Sequence, residues 1–291
     1  MTGLGDEVRE TCARIAGGAQ WVSIDIEALS SVVPGPPPAL DPDRHYLEGS
    51  EADVATYMLV NDAVNFGSGW FPTLNKRPGH SGYFTIAASL ADRFRADGAW
   101  TPADLRAMGT EELARTLGQP PDHELMALYA QALRSLGTFL GEDSALDVVQ
   151  RARGSAELLA TQLAAGMALF SDRGFYKRAQ IAAADLALAG VATFSDLDRL
   201  TIFADNVVPH VLRCDGVLHY DDRLAAHIDA GRLVRAGRAE REIRACAVHA
   251  CELIAARAGC SAHELDNWLW ERGRGDAYKA VPRHRCRTVY Y

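Results

Sequence analysis

The 291-residue chain has 48% hydrophobic and 23% charged residues and a formal net charge of −8, a balance that excludes a wholly disordered chain and leaves length for a well-buried core. No apolar run approaches the roughly 20 residues of a membrane helix, and an acidic total without a basic tail argues against gripping a nucleic-acid backbone. The start, MTGLGDEVRETCARIAGG, lacks a basic segment followed by an apolar one, so no signal peptide is expected and the cytoplasm is the expected location.

In chain order, Ala19–Ile26 alternates well enough for a short strand, and Val33–Asp43 holds PGPPPALDP, a rigid loop. A helix rich in apolar residues is expected to end near Asn65–Phe66. Thr101, Pro102 and Asp104 form a helix start, since threonine caps, proline tolerates the first position and aspartate suits the positive end. Gly109–Glu112 repeats that logic. Helical spacing then covers His123–Leu140, Ser144–Phe170, Phe175–Ala189, Asp196–Phe203, Asn206–Cys214, Asp221–Ala230, Ala239–Ala258 and Ser261–Glu271. The pattern predicts one mainly α domain over residues 1–291 with a small non-helical N-terminal elaboration. None of the six cysteines forms a C-x-x-C pair, and Cys246 with His249 supplies too few ligands for zinc, so no metal is expected.

Three segments look chemical. Asn61–Phe84 joins amides to the faces of Phe66, Trp70, Phe71 and Tyr83, which can stack on a nucleobase or equally plug the core. In Gly174–Asp185, Lys177, Gln180, Ile181 and Ala184 share a helix face, with Lys177 aimed at a pocket or left at the surface. In Ser195–Leu212, Ser195 and Asp198 resemble a capping box. Asp205 precedes a helix whose first turn holds Pro209, so its carboxylate sits at a positive helix end, as a plain cap or as a chemical group. The one basic segment comprises Arg272, Arg274, Lys279, Arg283, Arg285 and Arg287.

With VNFGSGWF, SGYFTIAASL, FYKRAQIAAAD, LTIFADNVVPHVL, EREIRACAVHACELI, Asp266-x-x-Leu269-Trp270 and PRHRCRTVYY in order from Val60 to Tyr291, the chain resembles the queuosine salvage family, the queuosine 5'-phosphate N-glycosylase/hydrolases. That resemblance implies a fold like the helix-hairpin-helix DNA glycosylases, with Asp205 as catalytic carboxylate and Lys177 facing the sugar. The chain departs from the family pattern at Asn206, where a tyrosine is common, and at Ala187, where a tryptophan-like residue often stands.

The implied substrate is a small nucleotide, queuosine 5'-phosphate, cut without metal or organic cofactor. Asn65 and Gln180 are the expected polar contacts to the departing base, with Phe66, Trp70 and Tyr83 stacking. Asp62 or Asp266 is expected to meet the cationic amine and diol of the base's side chain. Lys177, Arg178, His284, Arg285 and Arg287 compete for the phosphate, and Asn206 and His210 complete the expected pocket. The rival readings are a DNA glycosylase, which lacks its basic groove and hairpin glycines here, and a helical base-binding protein without turnover.

Overall fold

The computed structural model describes residues 3–291. Helix α1 (Leu4–Gly17) leads into strand β1 (Val22–Ile24) and a long irregular strap, after which α2 (Glu51–Ala63), α3 (Gly82–Asp97), α4 (Pro102–Ala107), α5 (Thr110–Thr116) and α6 (Glu124–Leu140) follow. Next come α7 (Ala145–Arg151), α8 (Ala156–Gly166), α9 (Lys177–Leu188) and α10 (Val208–Cys214). Strand β2 (Leu218–Tyr220), α11 (Asp222–Asp229), α12 (Arg238–Ala258), α13 (Ala262–Arg272) and α14 (Asp276–Lys279) finish the chain. The two strands pair antiparallel, Val22 opposite Tyr220 and Ile24 opposite Leu218. The mainly α expectation is met, and no helix among the described residues is long and apolar enough to cross a membrane.

Packing follows from which faces are apolar. Helix α12 lies between α1, α10, α13 and β1, while α9 is held against α2 and α8, and one continuous core joins the two groups. Local chemistry sets the boundaries where the sequence signals are clear. Thr101 and Asp104 form a reciprocal capping box at α4, and Ser144 with Asp147 does the same at α7.

Two expected helices are corrected. Ser144–Phe170 is not continuous: Arg153 and Gly154 adopt φ of 52° and 74°, a left-handed turn that ends α7 before Ser155 caps α8. Asp196–Phe203 contains only a single 3₁₀ turn at Leu197–Arg199. Ser195 and Asp198 form no capping box. Ser195 Oγ instead donates to the Gly154 carbonyl, and the Asp196 carboxylate accepts Ser155 Oγ and Ala156 N at the start of α8.

Beyond that turn the backbone stays extended because buried side chains satisfy it. Thr201 N donates to Gln180 Oε1 at 2.9 Å, and Phe203 N to Asp266 Oδ1 at 2.9 Å. Helices α1 and α3, absent from the sequence reading, are further differences. In α1, Leu4, Val8 and Cys12 form a narrow buried stripe on an otherwise charged helix.

Candidate active site

A cavity of about 620 Å3 opens where the strap, the start of α3, one face of α9, the segment before α10, α13 and the C-terminal segment converge. That volume suits a small organic ligand. Behind the lining, Gly69 lets the loop after α2 approach the C-terminal segment closely: a Cβ there would lie 2.4 Å from the Cys286 carbonyl oxygen.

At one end stands Lys177, the first residue of α9, only 4% exposed. Its Nζ donates to the Asn65 carbonyl at 3.1 Å and to Asn65 Oδ1 at 2.9 Å. Asp205 lies opposite, its Oδ1 accepting Val207 N at 2.6 Å and Val208 N at 3.3 Å at the head of α10. Those bonds fix one carboxylate oxygen and leave the other for the cavity. Burial pushes the Asp205 carboxyl above its ordinary range, whereas the Lys177 ammonium and the two N–H groups pull it back toward the ionised form.

Three further carboxyls crowd this centre. Asp266 is pushed up to about 8, first by burial and then by the Asp205 charge. Asp185 is pushed up to about 7 by burial, and its carboxyl meets that of Asp62, which burial and Asp185 together raise well above the normal value. Two carboxyls in contact inside a buried site hold a proton between them near neutrality. The cavity therefore combines a carboxyl that burial raises and Lys177 draws back with neighbouring acids pushed up to about 7 and about 8.

The other end is aromatic. Tyr83, Phe84 and Trp270 stand edge to face, with centroids 5.1 to 5.7 Å apart. Arg44 lies 4.4 Å and Arg274 4.7 Å from the centroid of Phe84. Ser81 caps α3 by accepting Phe84 N, which presents Tyr83 in the first turn. The Tyr83 hydroxyl meets Asn61 Nδ2 and His45 Nε2, both at 3.2 Å. Cations gather at the rim: Lys76, Lys279, Arg283 and Arg285 all line the cavity. Arg283 is half-buried and faces the Asp205 charge, with no hydrogen bond or ion pair of its own among the described residues.

Of the residues expected from sequence, Asp205, Lys177, Asn65, Phe66, Tyr83, Asn206, Asp266 and Arg285 meet at the cavity. Six lie elsewhere. Trp70 donates Nε1 to Glu124 Oε2 at 2.6 Å and lies beneath Arg287, which pairs with the same carboxylate. Arg178 is buried between Phe66 and Phe170 and donates to the carbonyls of Ala63, Leu169 and Val289, so it holds three segments together.

Gln180 spends its amide on Phe175 O, Thr201 Oγ1 and Thr201 N. His210 is fixed on the Tyr278 carbonyl at 2.8 Å. His284 is buried and pushed down to about 3, so it is neutral and unfit to hold an anion. Asp62 sits behind Asp185 and reaches the cavity only through it.

The sequence reading missed Asp185, Phe84, Trp270, His45 and Arg44, and left Arg283 undistinguished within the basic segment. Helical spacing was the available signal for two of them. Asp185 lies eight residues after Lys177 and Trp270 four after Asp266, both in-face positions. The strap residues carried no such signal.

The queuosine salvage protein family matches residues 45–291 of this chain. A protein of Sphaerobacter thermophilus called queuosine 5'-phosphate N-glycosylase/hydrolase is 32% identical, covering 98% of this chain and 97% of its own length. Proteins of the same description from Nematostella vectensis and Dictyostelium discoideum are 28% and 29% identical, covering 86% and 98% of this chain and 85% and 98% of their own lengths. With a family match over most of its length and a near full-length relative, this chain belongs to the queuosine salvage protein family.

Proposed function

We propose that this chain is a cytoplasmic hydrolase that cleaves the N-glycosidic bond of queuosine 5'-phosphate, releasing queuine and ribose 5-phosphate so that the base can be reused in tRNA modification. The observation that carries this reading is the facing pair Asp205 and Lys177, set in one cavity with an aromatic end and a cationic rim. The shared description of the near full-length relatives supports the substrate. No nucleic-acid partner is part of the proposal, because the cations that face a ligand surround a cavity of small-molecule size.

Breaking a ribosyl bond builds positive charge on the anomeric carbon and ring oxygen. A fixed carboxylate stabilises that charge more in the transition state than in the ground state. Asp205 takes this role through its free oxygen and orients the attacking water. Lys177 favours the ionised form of Asp205 against the effect of burial, and Asn65 holds the ammonium in place. The departing base is a 7-deazapurine, without the ring nitrogen that ordinary purines protonate on leaving, so an acid must serve it elsewhere.

Asp266, pushed up to about 8, is mostly protonated at neutral pH, and Asp185, pushed up to about 7, holds its proton about half the time, so both fit that need. Asp185 lies about 12 Å along α9 from Lys177, beside Tyr83 and the aromatic end, where the base and its cationic side chain would rest. Arg283, without a partner among the described residues, takes the phosphate, with Arg285 and Lys279 beside it. A binding protein without turnover would use the same aromatic walls but has no use for a carboxylate held against a lysine. Incubation with queuosine 5'-phosphate followed by mass detection of free queuine tests the proposal. Intact nucleotide after prolonged incubation at micromolar enzyme would refute it.

A further inference from the structure

Arg244 lies on α12 outside the cavity, only 2% exposed, and its guanidinium touches three separate segments of the site. Its Nε donates to the carbonyl of Ala204 at 2.9 Å, the residue immediately before Asp205. Its two Nη groups hold the Asp172 carboxylate, and one of them also reaches Glu240 Oε1 at 3.4 Å. Asp172 governs the entry to α9, because its carbonyl accepts Phe175 N at 2.9 Å and Tyr176 N at 2.7 Å. Tyr176 then turns through φ 48°, a left-handed conformation that costs of order 1 kcal/mol and persists only where its surroundings enforce it. Lys177 follows directly.

The plane of Arg244 also lies 3.9 Å from the ring centroid of Phe175 and 4.6 Å from that of Tyr291. Tyr291 lines the cavity, and its carbonyl accepts Gly67 N at 2.9 Å, tying down the loop whose Asn65 holds Lys177 Nζ. Each route ends on one half of the Lys177–Asp205 pair. An arginine can do this where a lysine cannot, because its planar fork makes several directed bonds while its faces stack on aromatic rings.

We infer that Arg244 is a positioning residue that sets Lys177 and Asp205 in register by clamping the Ala204 carbonyl, the Asp172 turn and the Tyr291 ring together. This rests on the reading of Lys177 and Asp205 as the reacting pair. Arg244 never touches substrate; it acts through the backbone on either side. Asp205 faces Lys177 of α9, Asp266 of α13 and Arg283 of the C-terminal segment. Loosening the clamp moves Asp205 and Lys177 apart and removes the largest influence that favours the ionised carboxylate.

Arg244→Lys tests it, with Arg241→Ala as control. Arg241 lies on the same helix and over the same Phe175 ring, without a bond to Ala204 or Asp172. For Arg244→Lys the expected result is a kcat lowered at least tenfold, a KM changed less than threefold, and an acid limb of the kcat profile moved to higher pH. Arg241→Ala should keep the wild-type kcat and limb.

A kcat loss with an unmoved acid limb, or a folded variant with wild-type kcat, would overturn the inference. Should Arg244→Lys fail to fold, Asp172→Asn keeps the arginine and frees only the turn before α9, and the same two readouts decide. Wild-type turnover is measured alongside, so failure of the hydrolase reading shows as inactivity of every protein, and failure of the clamp as variants equal to wild type.

Discussion

Lys177 and Arg178 are consecutive, both cationic, both buried, and opposite in what they do. Lys177 shares a stripe with Ile181, Asp185 and Leu188 that faces the cavity. Arg178 points into the protein, where three backbone carbonyls and two aromatic rings take up its guanidinium. Gln180 is on the inward side as well, stitching α9 to the extended segment that leads to Asp205. The lesson is that a chemical motif on a helix is two motifs. One stripe presents the groups that meet a ligand, and the other fixes where that stripe stands.

The sharpest break between the two stripes comes from substituting each cation. Lys177→Met should fold normally and lose at least ~10²-fold in kcat, the scale of removing one electrostatic stabiliser. Arg178→Met leaves buried carbonyls without a donor. It should cost at least about 2 kcal/mol of stability, a fall in Tm of roughly 5 °C, while folded enzyme turns over at the wild-type rate. Paired kcat and thermal-melt measurements check both, and a reversed pattern would undo the division.

The rim cations offer a second, smaller test. If Arg283 meets the phosphate, each charge-assisted hydrogen bond contributes about 1.5–3 kcal/mol, or roughly ten- to a hundredfold. The nucleotide should then be cleaved with a much higher kcat/KM than the nucleoside, and Arg283→Met should shrink that gap mainly through KM. Arg178→Met should leave the gap intact. Equal kcat/KM values for the two substrates would remove the phosphate site.

The acids on the pocket stripe sharpen the comparison through pH. Asp205 must be ionised and a neighbouring acid protonated, so kcat should trace a bell. Its alkaline limb follows groups held at about 7 and about 8.

Stability carries the same signature. Both carboxyls have folded values raised above the ordinary aspartate value of 3.8, so the fold binds protons that the unfolded chain releases. Their contribution is complete below that value and lost as pH rises through about 7 and about 8. Melts across about pH 5 to 9 should show stability falling, and Asp185→Asn should flatten that fall. A pH-independent difference between Asp185→Asn and wild type would contradict the buried-acid assignment.

How much of this was legible in the sequence follows the same two-stripe logic. The helices with clear caps, such as α4 behind Thr101, could be read because a cap is a local contact. The segment before Asp205 could not, because its backbone partners, Gln180 and Asp266, lie 21 and 63 residues away. At the site, Asp205, Lys177 and Asn65 stood out through the motifs that contain them. Arg178 and His284 were misassigned for one shared reason. A charge or imidazole in a basic-looking run reads as a ligand contact until burial shows it satisfied by backbone or held neutral. Trp70 failed differently: its indole N–H found Glu124, far along the chain, and turned away from the cavity.

The most direct measurement compares wild type and Asp205→Asn on queuosine 5'-phosphate, with free queuine followed by mass and folding checked by thermal melt. The account predicts release of queuine by the wild type and a folded Asp205→Asn variant at least ~10²-fold slower. A folded Asp205→Asn that releases queuine at the wild-type rate would contradict it.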